Sequence, residues 1–260
     1  MSNYSEVRAK KFLGQHFLID EKIAEQIVAS LTPPVSCKKV LEIGPGMGVL
    51  SKYLLYREEF ETSFVELDRD SVAYLKEHYP AIKERIIEGD FLVLDLKEYF
   101  KEPYCIIGNF PYNISTQILF RMLDEKNEII QMVGMFQKEV AERIVSPPGN
   151  RDYGILSVLL QPWYDMEYLF TVGPENFNPP PKVKSAVIKL TRNSRTELGM
   201  SEAGFKTLVK LAFNQRRKTL RNALRSVLPI DYSAVPFLDL RAEALSWEMF
   251  LELGLKLGMK

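Results

Sequence analysis

Cysteine, histidine and long apolar runs are all scarce in this 260-residue sequence. The two cysteines, Cys37 and Cys105, lack the paired spacing of a zinc site or a disulfide framework, so we expect no metal centre and a reducing, cytoplasmic environment. The basic stretch 1–11 contains no apolar signal segment, and no apolar run approaches the ~20 residues that a membrane span needs. These absences predict a protein that is neither secreted nor membrane-bound.

The formal net charge is zero, but the charges are unevenly distributed along the chain. Residues 23–181 contain 15 Lys and Arg against 24 Asp and Glu, a net of −9. Residues 182–225 contain 12 against 2, a net of +10. A segment this basic is typical of a surface that binds a polyanion. We therefore expect a nucleic-acid-binding segment joined to an acidic body.

Apolar residues recur in the pattern of an α/β protein. Asp20 is predicted to cap a first helix. Short apolar runs predict buried strands at 39–43, 63–67, 85–87, 104–107 and 129–136. Two further strands, at 166–172 and 185–190, are expected at one edge of the sheet. Together these segments predict a doubly wound, mostly parallel sheet of seven strands.

A change of pattern near residue 192 predicts a domain boundary. A polar stretch at 192–199 is followed by apolar residues that recur with a helical period, from Phe205 to Phe213. We therefore expect a larger α/β domain over residues 1–192. A small helical domain is expected over residues 193–260.

The first predicted strand leads into a glycine-rich turn, Gly44-Pro45-Gly46-Met47-Gly48. Its glycines permit positive φ and allow a ligand to approach the backbone closely. The spacing differs from the Gly-x-Gly-x-x-Gly of a dinucleotide-binding loop, and Glu42 just before the turn favours a cationic ligand over a phosphate. The turn therefore indicates a site for a positively charged cofactor.

Acidic residues end the next two predicted strands. Glu66 can accept hydrogen bonds from two ribose hydroxyls, and Asp90 can accept one from the amino group of a cofactor adenine. Each feature alone also fits an ordinary turn or a solvated carboxylate. Their order on successive strands predicts S-adenosylmethionine as the cofactor.

The fourth predicted strand ends in Asn109-Phe110-Pro111-Tyr112, at the edge where open α/β sheets bind ligands. An exocyclic adenine nitrogen is a poor nucleophile because its lone pair is delocalised into the ring. The Asn109 side-chain oxygen and the Phe110 carbonyl can accept bonds from both amino hydrogens, which directs the lone pair towards a methyl donor. Pro111 would stiffen the turn, and Tyr112 would stack on the base. A plain strand-to-loop turn is the alternative, but the position of the motif favours amino-group methylation.

With these motifs the chain resembles the ribosomal RNA adenine dimethyltransferases, in particular the bacterial type that acts on small-subunit RNA. The resemblance covers nearly the whole chain, and its motifs are specific in combination. They lie at 14–18, 42–48, 66–68, 89–90, 109–115, 177–183 and 213–224. The resemblance implies a Rossmann-like class I methyltransferase fold, with catalysis in residues 1–192 and RNA binding in residues 193–260.

The resemblance also implies roles for individual residues. The residues expected to contact the cofactor are His16, Leu18, Gly44, Gly46, Glu66, Leu67, Asp90, Phe91 and Asn109. Phe177 would oppose Tyr112 across a flipped base, the alternative being a buried anchor for the proline turn 179–181. Two residues depart from the family pattern: His16 stands where Asn is usual, and Phe110 stands where Leu is usual. The second departure leaves the carbonyl of Phe110 in place.

The implied substrate is a pair of adjacent adenines in a hairpin loop near the 3′ end of 16S rRNA, within the 30S subunit or its precursor. A monomeric enzyme would dimethylate each of them during ribosome biogenesis. One alternative is a 23S rRNA adenine methyltransferase of the macrolide-resistance type; segments 113–115 and 213–218 favour the small-subunit type. Another is a non-catalytic RNA-binding assembly or transcription factor, against which the intact residues Glu66, Asp90 and Asn109 argue.

Cationic side chains in the basic segment are predicted to contact RNA phosphates. On a continuous helix, Arg217, Arg221 and Arg225 would share one face because they are four residues apart. The full predicted set is Lys182, Lys184, Arg216, Arg217, Lys218, Arg221 and Arg225. A merely solvated surface is the alternative, and the local charge of +10 favours RNA contact.

Overall fold

The computed structural model of the chain describes residues 7–259, so residues 1–6 of the predicted basic stretch lie outside it. The chain forms two compact units. The first is Met1–Ala141 with Glu167–Arg192, and the second is Glu142–Met166 with Asn193–Lys260. Within the described residues, no helix is long and apolar enough to cross a membrane.

The predicted boundary near residue 192 coincides with one of the divisions between the units, whereas residues 142–166 differ from the prediction. They were expected in the larger domain but belong to the second unit. The reason is packing within that unit: the Tyr153 ring lies 6.3 Å from the Phe213 ring, and Phe213 stacks on Phe250 at 6.0 Å.

The described strands are β1 (Phe17–Leu18), β2 (Lys39–Ile43), β3 (Glu61–Glu66), β4 (Ile86–Glu88), β5 (Tyr104–Asn109), β6 (Ile129–Gln137), β7 (Tyr164–Val172), β8 (Phe177–Asn178) and β9 (Ser185–Arg192). Seven of them form one sheet with the order β4-β3-β2-β5-β6-β9-β7. Neighbouring strands from β4 to β6 are parallel, and β9 is antiparallel to β6. The predicted α/β class is therefore confirmed, including the two late strands at one edge.

The central strands are apolar on both faces, as expected for parallel strands covered on both sides. Val40 and Leu41 in β2, and Ile106 and Ile107 in β5, have no exposed surface. Separately, β1 pairs with β8 in an antiparallel ladder that places Leu18 opposite Phe177. This small ladder joins the N-terminal segment to the proline-rich turn.

Four of the described helices begin at a side-chain cap. Asp20 caps the first helix, since its side chain accepts a hydrogen bond of 3.0 Å from the Ile23 amide. Ser201 caps the seventh helix in the same way. The helices are α1 (Glu21–Ala29), α2 (Ser51–Leu54), α3 (Arg69–His78), α4 (Ser115–Asp124), α5 (Lys138–Val145), α6 (Ile155–Leu160), α7 (Glu202–Asn214), α8 (Leu220–Ala223) and α9 (Trp247–Lys256).

The continuous basic helix predicted across residues 217–225 is wrong. Helix α7 ends at Asn214, and Thr219 is extended before the short helix α8 begins. The amides of Leu220 and Arg221 each donate a 2.8 Å hydrogen bond, to the carbonyls of Leu240 and Leu238 respectively. This pairing within the second unit replaces the expected helix, so the basic side chains do not share one helical face.

Candidate active site

A cavity of about 260 Å³ lies in the first unit, where β2, β3 and β5 end. Its position matches the carboxyl edge at which open α/β sheets bind ligands. With the exception of Phe177, every residue predicted for catalysis or cofactor binding lines it: His16, Leu18, Gly44, Gly46, Glu66, Leu67, Asp90, Phe91, Asn109, Phe110, Pro111 and Tyr112. The structure thus brings together residues that are widely separated in the sequence.

The glycine-rich turn after β2 has the positive φ angles that its composition predicts. Gly44 and Gly46 have φ values of 67° and 58°, which L side chains rarely adopt. A Cβ atom on Gly46 would also lie only 2.9 Å from the Phe17 ring. Its amide donates a 2.9 Å hydrogen bond to Glu66 Oε2, so the turn and the acidic end of β3 are directly joined.

Four carboxyl-bearing residues line this cavity, and the three that follow strands, Glu42, Glu66 and Asp90, have different environments. Burial raises the pKa of Glu66, although its two oxygens accept hydrogen bonds from the Gly46 and Asp68 amides. Glu42 is 1% exposed and accepts a 2.7 Å bond from Ser51 Oγ; burial raises its pKa to about 8. Asp90 is half-buried, and one of its oxygens accepts the Leu92 amide at 2.9 Å.

Asn109 is the last residue of β5 and lies in the wall of the cavity. Its Nδ2 donates a 2.8 Å hydrogen bond to the carbonyl of His16, which fixes the orientation of the amide. The next side chain, Phe110, is buried at 5.2 Å from the Phe136 ring. A Cβ atom on Gly134 would lie 2.3 Å from the Phe110 ring, so Phe110 fits only because residue 134 is glycine. The backbone on both sides of Asn109 is therefore held in place.

Tyr112 is half-buried and its hydroxyl lies 2.6 Å from Ser185 Oγ in β9. Burial raises the pKa of this tyrosine. The His16 ring lies 5.4 Å from the Tyr112 ring at an angle of 32°. Nδ1 of His16 is 2.7 Å from the Pro179 carbonyl, which can only accept, so this nitrogen carries the hydrogen.

Phe177 is not among the residues that line the cavity, and its expected place opposite Tyr112 stays a prediction. It is 3% exposed and packs in the core with Leu18, Val133 and Val172. This burial fits the alternative, a buried anchor beside the proline turn. The aromatic side chain that lies near Tyr112 is His16.

The predicted RNA-contacting cations fall into two groups. Arg216 pairs with Glu243 at 3.1 Å and donates to the carbonyls of Arg151 and Tyr153. Arg221 pairs with Asp239 at 2.9 Å. The others are exposed and have no ion pair among the described residues: Lys182, Lys184, Arg217, Lys218 and Arg225.

Sequence reasoning missed the residues that support the site. Ser185 holds the Tyr112 hydroxyl, and Lys10 and Gln15 both bond to the buried Asp68. These pairs are separated by 53 to 73 residues, so no local pattern marks them. The one signal in the sequence is Asp68 itself, the last residue of the motif at 66–68.

Comparison with protein families gives a match over most of the chain. A family described as ribosomal RNA adenine dimethylase matches residues 6–239. Two relatives, each called ribosomal RNA small subunit methyltransferase A, are similarly close. The one from Cytophaga hutchinsonii is 55% identical, over 95% of this chain and 96% of its own length. The one from Parabacteroides distasonis is 56% identical, over 96% and 94%.

Solved structures with the same fold include two RNA-modifying enzymes. A dimethyladenosine transferase from Plasmodium falciparum aligns with a TM-score of 0.79 at 23% identity, covering 94% of this chain and 99% of its own. The 23S rRNA methyltransferase ErmE aligns with a TM-score of 0.71 at 24% identity, covering 93% and 99%. At these identities the likeness shows the fold.

Proposed function

The chain belongs to the ribosomal RNA adenine dimethylase family, and from this premise we propose that it dimethylates the N6 amino groups of two adjacent adenines in 16S rRNA. The adenines lie in a hairpin loop near the 3′ end, and the reaction belongs to small-subunit biogenesis in the cytoplasm. The enzyme acts as a monomer on the 30S subunit or its precursor. The observation that carries this proposal is the oriented amide of Asn109 in the cavity wall.

The residues of the cavity fit S-adenosylmethionine, the cofactor of this family. The glycine turn leaves space beside Gly44, where the nearest atom to an added Cβ would be 4.0 Å away. Glu66 presents a buried carboxylate for ribose hydroxyls, and Asp90 keeps an oxygen for an adenine amino group. Leu67 and Phe91 offer apolar contact to the adenine ring. When bound, the cofactor supplies a methyl group on a sulfonium.

Asn109 orients the target amino group. Since its Nδ2 is held by the His16 carbonyl and no described residue donates to its Oδ1, this oxygen is free to accept a hydrogen from adenine N6. The Phe110 carbonyl accepts the second hydrogen, and the buried Phe110 ring keeps that backbone in place. With both hydrogens bound, the nitrogen lone pair is directed towards the methyl group, so rate is gained through positioning.

Tyr112 provides a surface for the target base. Its hydroxyl is fixed on Ser185, and its half-buried ring borders the cavity beside Asn109. Because the N6 atom cannot reach a methyl donor inside a stacked helix, the adenine must leave its stack to reach this surface. Stacking on Tyr112 offsets part of the free energy that unstacking costs.

Phosphate contacts are assigned to the exposed cations that have no ion pair, including Arg217, Lys218 and Arg225 in the second unit. Lys182 and Lys184, which follow the proline turn in the first unit, contribute further contacts. Arg216 and Arg221 are omitted from this set because acidic partners already neutralise them. The seven cations predicted from charge to contact RNA are thereby reduced to five.

Methyl transfer to under-methylated 30S particles tests the proposal. Labelled S-adenosylmethionine is expected to yield dimethyladenosine in 16S rRNA, and Asn109→Ala is expected to abolish the label while cofactor and RNA binding persist. Asn127→Ala, an exposed asparagine in a turn, is the matched control and should retain activity. Label confined to 50S particles would assign the 23S type instead. Retained dimethylation by Asn109→Ala would refute the role of Asn109.

A further inference from the structure

The segment of residues 10–18, here called the arm, lies between the two halves of the candidate site. The Phe17 ring packs against the glycine turn, 2.9 Å from where a Cβ atom on Gly46 would lie. A Cβ on Gly14 would lie 2.7 Å from Asn113 Oδ1, next to the catalytic motif. Six residues of the arm, 13–18, line the cavity. Residues 13–18 of the arm therefore form part of the wall that would contact a bound cofactor, whereas residues 10–12 lie outside it.

Asp68 anchors this arm. Its side chain is 1% exposed and accepts hydrogen bonds from Lys10 Nζ and from Gln15 Nε2, the latter at 3.1 Å. Lys10 Nζ also pairs at 2.7 Å with Asp70, whose side chain is exposed. The Gln15 side-chain oxygen also accepts a 2.8 Å hydrogen bond from the Lys10 amide, so the two residues that bind Asp68 are bonded to each other. Burial alone would raise the pKa of Asp68, but the Lys10 and Gln15 donors outweigh it and lower the pKa.

Capping α3 does not account for these contacts. As its cap, Asp68 needs only the amide bond from Asp70, which it has at 3.2 Å, and Ser71 Oγ adds another bond at 3.2 Å. The two donors from the arm come from 58 and 53 residues earlier in the chain. They bring a charged and a polar side chain to a carboxylate that is already capping a helix.

Asp68 is also connected to Glu66 and, through the arm, to Asn109. Its own amide donates 2.8 Å to Glu66 Oε1, the carboxylate assigned to the cofactor ribose. Through the arm it reaches His16, whose carbonyl holds the Asn109 amide. Through its backbone amide on one side and its carboxylate on the other, Asp68 thus links the cofactor-binding end of β3 with the catalytic end of β5.

We propose that Asp68 is a positioning residue for methyl transfer: it holds the arm through Lys10 and Gln15, so that His16 fixes Asn109 beside the cofactor. This inference rests on the proposed function, since it assigns Asp68 a part in the same site. Without the anchor, the arm leaves its place between the glycine turn and the catalytic motif. Cofactor affinity and the orientation of Asn109 are then lost together.

Lys10→Met tests the anchor without disturbing the helix cap. Displacing a positioning segment by about an ångström costs on the order of tenfold to a hundredfold, so we expect calorimetric cofactor affinity and kcat/KM for the cofactor each to fall at least tenfold, with RNA affinity unchanged. Lys10→Arg, which retains the charge, should restore most of both. Lys11→Met is the matched control, because Lys11 is an exposed neighbour with no ion pair among the described residues.

The proposal would be overturned if Lys10→Met behaved like Lys11→Met, or if Lys10→Arg bound the cofactor no better than Lys10→Met. A thermodynamic cycle adds a second measurement. If Asp68 acts by holding Lys10 and Gln15, then adding Asp68→Asn to Lys10→Met/Gln15→Leu should change cofactor affinity little, whereas full additivity of the effects would contradict the proposal.

Cofactor titration needs no RNA. Failure of wild-type protein to methylate 30S particles would therefore refute the proposed function and leave this test intact.

Discussion

Glu42 is a carboxyl group whose ionisation differs between the folded and the unfolded chain. Burial raises its pKa from 4.5 to about 8. Below pH 4.5 the group is protonated in both states and has no effect. Between pH 4.5 and 8 the unfolded chain releases the proton while the folded chain retains it, so the free energy of unfolding falls as the pH rises, and it levels off above the folded pKa.

Glu42→Gln should remove this pH-dependent loss. Between pH 5 and pH 8 we expect wild-type protein to lose on the order of a few kcal/mol more than the variant, because each pKa unit corresponds to about 1.4 kcal/mol. Urea unfolding at both pH values measures the difference. Glu77→Gln, at an exposed position, is the control and should behave like wild type. Equal losses in wild type and Glu42→Gln would show that Glu42 is not the group responsible.

That Glu66, Asp90 and Asn109 lie around one cavity was predictable from the sequence because they follow strands. Glu66 and Asn109 are the last residues of their strands and Asp90 comes two residues after the end of β4, and parallel strands bring such positions to one edge. The positions of Phe177 and Asp68 were not predictable in this way. Whether an aromatic ring enters the core, or a capping carboxylate accepts a distant lysine, depends on packing between segments far apart in the chain.

At the scale of elements, the end of α7 shows that apolar periodicity predicts a helix but not the residue at which it ends. The apolar spacing from Phe205 to Phe213 predicted this helix correctly. Residues 214–225 contain no proline or glycine, so nothing local marks the break before α8. The break arises because the Leu220 and Arg221 amides pair with the segment 238–240. Tertiary hydrogen bonding here overrides helix propensity.

The break leaves Arg216 outside any helix, with its side chain bonded to other residues of the second unit. Its contribution to stability can therefore be tested. Arg216 binds Glu243 and the carbonyls of Arg151 and Tyr153. A hydrogen bond from a charged donor contributes about 1.5–3 kcal/mol, but the Arg216 side chain is 38% exposed and solvent screens its contacts. Arg216→Ala should therefore lower the free energy of unfolding by about 1 kcal/mol. Arg217→Ala, at the exposed neighbour, should leave stability unchanged. Denaturant unfolding of both variants provides the comparison, and equal stability would contradict the structural role of Arg216.

At the scale of the whole molecule, charge segregation determines how binding depends on salt. The net of +10 over residues 182–225 includes side chains that are already paired, such as Arg216 and Arg221. Only cations without an internal partner release counterions from RNA when they bind. The number of phosphate contacts is therefore smaller than the charge count, and the salt dependence of RNA affinity measures it.

The double variant Arg217→Ala/Arg225→Ala should weaken RNA binding and flatten its dependence on salt. Each lost phosphate contact reduces the slope of log K against log salt by about 0.7–0.9, so the pair should reduce it by roughly 1.4–1.8. Arg221→Ala should reduce it much less, because the Asp239 carboxylate already neutralises that side chain. Binding of a 16S hairpin measured between 50 and 200 mM salt gives all three slopes. If Arg221→Ala flattened the slope as much as each free arginine does, its ion pair with Asp239 would have to open on RNA binding, and the free and paired cations would form one phosphate-binding set.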